Sequence, residues 1–162
     1  MANKSILIVE DNPTHQRILA VLAEQAGITP FVLANGRDAL DALQSSSQFA
    51  LVLMDRRLGD MDGLECTREI RERERSSGQH IPIIAVTAHA MLGDREKCLD
   101  AGMDDYLSKP FTARQIHQLL NRWVAAGAHH PLNATRHSSR QAGANDCVGP
   151  TAPLDPASRP GT

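Results

Sequence analysis

The chain has 162 residues and a formal net charge of −2, with acids and bases interspersed, enough for one folded domain with residues to spare. That balance excludes a global basic field for nucleic acid and a polybasic membrane patch, and no apolar stretch approaches the ~20 residues that span a bilayer. Cys66, Cys98 and Cys147 are widely spaced and odd in number, which fits free thiols in a reducing cytosol better than a disulfide framework or a zinc site. No charged-then-apolar leader precedes Ile6–Val9, so a cytoplasmic location is expected.

Strand-like and helical patterns alternate five times. Short β-branched apolar runs predict buried strands at Ile6–Val9, Phe31–Leu33, Leu51–Met54 and Ile83–Val86, with a weaker fifth at Tyr106–Leu107. Between the first two, Pro13 suits a helix's first turn, and Ile18, Leu19, Leu22 and Ala26 fall on one face. Ala39, Leu40 and Leu43 mark a second helix; Leu64, Thr67 and Ile70 mark a third, otherwise crowded with Glu and Arg. A weakly patterned fourth is expected between Gly93 and Ala101, and Ile116, Leu119, Leu120 and Trp123 mark the last. Alternating β and α units predict a doubly wound α/β fold: a parallel sheet with helices on both faces. Residues 125–162 are rich in Ala, Pro, Gly, Ser and His, and Leu132, Val148 and Leu154 are their only large aliphatics. Such a segment buries too little apolar area to offset its ordering entropy. The expected division is a domain at 1–124 and a disordered tail at 125–162, with His129, His130 and His137 solvated rather than metal-bound.

Ligands of an open parallel sheet bind beyond the carboxyl ends of its strands. Glu10 and Asp11 follow the first strand, Asp55 the third and Thr87 the fourth, and Lys109-Pro110 comes just past the fifth. Three converging carboxylates repel unless a cation sits among them, and oxygen-only ligands suit a hard ion such as Mg²⁺, which readily shares a phosphate. A carboxylate beside that ion is a nucleophile towards phosphorus, with Lys109 and Thr87 placed to stabilise charge on phosphoryl oxygens.

These residues sit in motifs. Residues 4–124 resemble receiver domains of two-component phosphorelays, especially those of hybrid sensor histidine kinases. The resemblance rests on Ile6-Leu7-Ile8-Val9-Glu10-Asp11-Asn12, Leu51-Val52-Leu53-Met54-Asp55 and Met61-Asp62-Gly63-Leu64-Glu65. It continues in Pro82-Ile83-Ile84-Ala85-Val86-Thr87-Ala88-His89-Ala90 and Gly102-Met103-Asp104-Asp105-Tyr106-Leu107-Ser108-Lys109-Pro110. It implies a flavodoxin-like strand order 2-1-3-4-5. It implies Asp55 as phospho-acceptor, Glu10, Asp11, Asp55 and the Arg57 carbonyl as Mg²⁺ ligands, Lys109, held in place by a cis Lys109–Pro110 bond, as partner of the phosphoryl group, and Thr87 with Tyr106 as the switch. It further implies a non-enzymatic signalling role in which the domain catalyses its own phosphorylation and slow dephosphorylation. The expected partners are a histidine kinase or histidine phosphotransfer protein, with no direct nucleic acid or membrane contact. The chain is expected to be a monomer or a weak homodimer through the face of the fourth helix, fifth strand and fifth helix. Arg57 and His89 occupy the positions that flank the path of hydrolytic water, so they are expected to tune the lifetime of the phosphoryl group.

The sequence departs from the family after Asp55. Leu58 and Gly59 stand where many relatives have Met-Pro; Leu keeps the volume, while Gly loosens the loop that presents the Arg57 carbonyl. Arg56 and Arg57 set two cations beside the acceptor, open to capture of an anionic donor but expected to be merely exposed. Other readings fit less well. An aspartyl-phosphate phosphatase resembles Asp-x-Asp at the acceptor, but Arg57 takes the place of the acid. A flavin-binding electron carrier needs a Ser/Thr/Gly-rich loop where Glu10-Asp11-Asn12-Pro13 stands. A degenerate receiver used as a scaffold would lack part of the five-residue site.

Overall fold

A computed structural model describes residues 4–88 and 91–125 of the chain; His89, Cys147 and, of the tail expected at 125–162, residues 126–162 with their three histidines lie outside the described residues. The elements are β1 (Ser5–Val9), α1 (Pro13–Gln25), β2 (Thr29–Leu33), α2 (Gly36–Ser45), β3 (Phe49–Met54), α3 (Gly63–Ser77), β4 (Ile83–Thr87), α4 (Asp94–Asp100), β5 (Asp105–Ser108) and α5 (Ala113–Leu120), the last running into a π-type turn at Asn121–Ala125. The strands form one sheet in the order β2-β1-β3-β4-β5, every pairing parallel, as expected of a flavodoxin-like fold. No described helix is long and apolar enough to cross a membrane.

The two-residue period of the strands divides the core. Leu7, Val9, Val52, Met54, Ile83 and Ala85 face α2, α3 and α4 through Ala39, Leu40, Leu64, Cys66, Ile70 and Cys98. Ile6, Ile8, Leu51, Leu53, Ile84 and Val86 face α1 and α5 through Leu19, Ala23, Ile116, Leu119 and Leu120, with Trp123 beside them. The apolar runs are therefore continuous because both faces of the central strands are covered. Cys66 and Cys98 are free and buried, in keeping with the expected thiols, and burial pushes the Cys66 thiol up to about 12.

Helical spacing puts Ile18 on the buried stripe of α1, yet it is 45% exposed, while Ala23 is fully buried. The arc that meets the sheet is centred on Leu19 and Ala23, because α1 also packs beside α5, where His117 Nε2 lies 3.1 Å from the Leu22 carbonyl. The second strand was expected to be buried, yet Phe31 and Val32 are 43% and 37% exposed. Among the described residues it is an edge strand that pairs with β1 alone, and the Phe31 ring meets Phe49 edge-on.

Local signals set the ends of the elements. Asn12 accepts hydrogen bonds from the Thr14 and His15 amides ahead of Pro13. Thr112 and Gln115 form a reciprocal capping box on α5. Asp62 accepts the Leu64 amide at the start of α3. That start lies hard against the loop after β3: the Gly63 amide donates to the Arg56 carbonyl at 2.7 Å, and a Cβ at Gly63 would sit 2.2 Å from the Asp55 carbonyl oxygen. Since the obstacle is backbone, the loop has to shift for any larger residue. Gly63→Ala is accordingly expected to lower stability by about 1–3 kcal/mol in chemical denaturation. Gly59→Ala, which meets open space, is expected to stay within about 0.5 kcal/mol. Equal effects of the two would show that the close approach of α3 to Asp55 is not a constraint.

Candidate functional site

The parallel sheet brings its carboxyl ends to one rim. The Asp55 amide donates to the Val9 carbonyl at 2.9 Å, placing the end of β3 beside Glu10 and Asp11, and the Lys109 amide donates to the Thr87 carbonyl at 2.9 Å, tying the loop after β5 to the end of β4. Residues separated by up to 99 positions thus meet because the hydrogen-bonded ladders bring their strand ends together.

Carboxylate oxygens of Glu10, Asp11 and Asp55 lie within 4.8 Å of one another. Glu10 and Asp55 are 1% and 9% exposed, while Asp11 faces solvent. The Lys109 ammonium joins them, 2.6 Å from Glu10 Oε2 and 3.1 Å from Asp55 Oδ2. Burial pushes the Glu10 carboxyl above the ordinary carboxylate range; its hydrogen bond with Lys109 opposes the shift and the Asp55 charge adds to it. One ammonium therefore serves two buried carboxylates, with a third at the mouth. Such hard oxygen donors suit a small divalent cation. The Lys109–Pro110 bond is cis, as the motif implies.

The other expected residues take distinct places. Thr87 ends β4 fully buried. Tyr106 lies on β5, half-buried against the cluster under α3 and α4. Burial pushes its phenol above the ordinary value, with Cys98 and Asp94 adding to the shift and Arg56 opposing it. Arg57 is exposed, and its amide donates to Asp55 Oδ1 at 3.2 Å. Nearby, the Asp60 oxygens accept the Gly36 and Arg37 amides at 2.9 Å each, closing the start of α2. Desolvation pushes Asp60 up, but those amides prevail and hold it below its ordinary value.

Sequence reasoning missed two neighbours of the site. His15 Nδ1 lies 3.1 Å from Lys109 Nζ and 3.5 Å from Glu10 Oε1. The available signal was its position in the first turn of α1, four residues after Asp11. Arg56, expected to be exposed, is half-buried, with Nη1 2.8 Å from Asp94 Oδ1. Chain neighbours gave no sign of that pairing, because the partner lies 38 residues away.

A doubly wound sheet whose rim gathers three acids, a buried hydroxyl and a lysine joined by a cis bond to the proline after it defines a signalling receiver. The chain belongs to the response regulator receiver domain family, whose sequence profile matches residues 6–121. Over 120 residues it is 40% identical to the sensor histidine kinase GacS of Pseudomonas protegens, covering 74% of this chain and 13% of that protein. Over 128 residues it is 39% identical to hybrid signal transduction histidine kinase I of Dictyostelium discoideum, covering 76% and 7%. The chain spans between 7% and 14% of the length of the curated relatives it matches. Among solved structures it resembles the receiver domain of a sensor histidine kinase of Pseudomonas aeruginosa, which holds a magnesium ion in its active-site cleft. That match has a TM-score of 0.68 and 42% identity, covering 76% of this chain and 99% of that one. It also resembles the receiver domain side of a complex from Saccharomyces cerevisiae between a histidine phosphotransfer protein and the receiver of its downstream response regulator. Here the TM-score is 0.72 with 27% identity, covering 81% and 95%. The domain is thus a receiver of two-component signalling.

The raised Glu10 sets a pH dependence. Its protonated form contributes stability that is fully present below the ordinary value of 4.5 and is lost as pH rises through the raised value. Without divalent ions, denaturant unfolding at stepped pH is expected to show stability falling over that window, and Glu10→Gln is expected to flatten that part of the curve. An unchanged slope in the Gln variant would assign the dependence to another group.

Proposed function

We propose that this receiver accepts a phosphoryl group on Asp55 from a phosphohistidine donor in an Mg²⁺-dependent reaction and thereby changes which protein it binds. The observation that carries the reading is the Lys109 ammonium held between Glu10 and Asp55 at a rim of three carboxylates. The cation would be held by Glu10, Asp11, Asp55 and the Arg57 carbonyl, and it would supply neutralisation of the charge that gathers as phosphate meets carboxylate. In the transfer, an Asp55 carboxylate oxygen forms a bond to phosphorus as the phosphorus–nitrogen bond of the donor imidazole breaks, and that electron pair stays on the imidazole. Lys109 turns from the carboxylates to a phosphoryl oxygen, and Thr87 donates to another. The Tyr106 ring follows Thr87, so the change reaches the face of α4, β5 and α5. Hydrolysis of the acyl phosphate restores Asp55; the position two residues on carries Arg57, so there is no carboxylic acid there to drive rapid turnover.

The partner is a histidine kinase or a histidine phosphotransfer protein. Hybrid kinases among the relatives and the yeast complex support that class of partner. Self-association, where it occurs, uses the α4–β5–α5 face as a weak homodimer. The proposed working unit is the receiver domain at residues 1–124.

Acetyl phosphate with Mg²⁺ is expected to add one phosphoryl group, seen by intact mass. Asp55→Asn should take none, and a chelator should abolish labelling; strong labelling of the Asn variant would reject Asp55 as acceptor. Arg57 sets the lifetime of the product. Its exposed guanidinium shields the phosphoryl group from in-line water. Arg57→Ala is expected to shorten the labelled half-life a few-fold, roughly 1 kcal/mol in barrier height, with a smaller change for His89→Ala. A longer half-life in Arg57→Ala would mean that the guanidinium assists hydrolysis.

A further inference from the structure

α4 is seven residues long, and its N-cap is Gly93, which offers no side chain to bond the first amides. Just ahead of it, Met91 and Leu92 are 77% and fully exposed. What holds the start of this helix is Asp94, a carboxylate that is only 4% exposed. Its Oδ2 accepts the Met91 amide at 3.0 Å, its Oδ1 meets Arg56 Nη1 at 2.8 Å, and Lys97 lies 3.7 Å away. Desolvation pushes Asp94 up, but Arg56 and the Met91 amide prevail and hold it below its ordinary value. Arg56 is itself fixed at the other end, where its carbonyl accepts the Gly63 amide from α3. The residue next to Asp55 is therefore anchored by its backbone to α3 and by its side chain to α4.

We infer that Arg56 is a positioning residue that ties the first turn of α4 to the acceptor loop, and that a phosphoryl group on Asp55 competes with Asp94 for its guanidinium. This rests on the proposed acceptor role of Asp55. A phosphoryl group brings about 1.5–2 negative charges and three strong acceptor oxygens to the residue adjoining Arg56, and guanidinium forks onto phosphoryl oxygens as readily as onto a carboxylate. Asp94 is buried and Arg56 half-buried, so salt screens the pair little. Loosening it leaves Asp94 with the Met91 amide and the more distant Lys97, and the start of α4 opens together with the exposed Met91–Leu92 pair. The route differs from the Thr87–Tyr106 switch because it runs through a residue on β3's loop.

The test is hydrogen–deuterium exchange over residues 91–100 in the full chain, for the wild type, Arg56→Met, Asp94→Asn and the double variant, each with and without acetyl phosphate and Mg²⁺. Asn keeps an acceptor for the Met91 amide, and Met keeps the length of the stem. Without phosphate, each single variant is expected to exchange about tenfold faster in α4 than the wild type, and the double variant no faster than either. Phosphorylation is expected to raise wild-type exchange towards the variants' rate and to change the variants by less than about twofold. A purely structural role would speed the baseline yet leave the phosphorylation-dependent rise intact, and that result overturns the inference. Unphosphorylated Arg56→Met exchanging like the wild type overturns it as well. Intact mass on the same samples reports occupancy, with beryllium trifluoride as the phosphoryl mimic for any variant that labels poorly. Absence of label on the wild type would reject the acceptor reading, while the unphosphorylated comparison still decides the tether.

Discussion

The structure is organised around charge repulsion at the carboxyl edge of a parallel sheet. Glu10 and Asp55 are held almost out of water with Asp11 at the mouth, their oxygens within 4.8 Å of one another, and Lys109 is the ammonium set between the two buried ones. Such an arrangement is not what stability alone would select, because buried carboxylates resist ionisation unless a cation compensates them. It persists because the strands beneath are covered on both faces, and because the ladder bonds from Asp55 to Val9 and from Lys109 to Thr87 fix where the side chains begin. The core thus stabilises an edge that is locally unfavourable, a common relation between scaffold and functional site.

The same edge is tightly tied to the helices around it. Gly63 lets α3 start against the Asp55 carbonyl, Asp60 closes the start of α2, and Arg56 reaches Asp94 at the start of α4. Three helix starts are therefore set by the loop that follows the acceptor. A change of charge at Asp55 acts on a loop that is bonded in several directions. That gives a local event a route to distant faces without any large movement of the sheet. Of these starts, that of α4 is the least embedded, since Asp94 and Cys98 are its only buried residues.

Much of this was legible in the sequence, and for identifiable reasons. Strand runs such as Leu51–Met54 and the helix start marked by Pro13 are local patterns, and local patterns survive folding. The site was legible because an open parallel sheet fixes where ligands bind, so acids and a lysine at strand ends converge whatever the loops do. What misled was lateral packing. Ile18 has the right spacing for the core stripe, yet only the position of α5 decides that Leu19 and Ala23 take the centre of the contact. Phe31 and Val32 look like core strand, yet β2's place at the sheet edge leaves them partly in water.

The amino-acid order settled the alternation of elements and the placing of the chemistry-bearing residues at the strand ends. Those follow from periodicity and from the position of each residue relative to its own strand or helix, while the class of signalling domain came from the resemblance of its motifs to receiver domains. Only the tertiary structure decided which long side chains pair across the fold: Lys109 with Glu10 and His15, Arg56 with Asp94, and Arg71 with Asp104. Arginine and lysine carry several rotatable bonds, so their partners are set by which loops the sheet brings within reach, a distance that the local sequence does not encode.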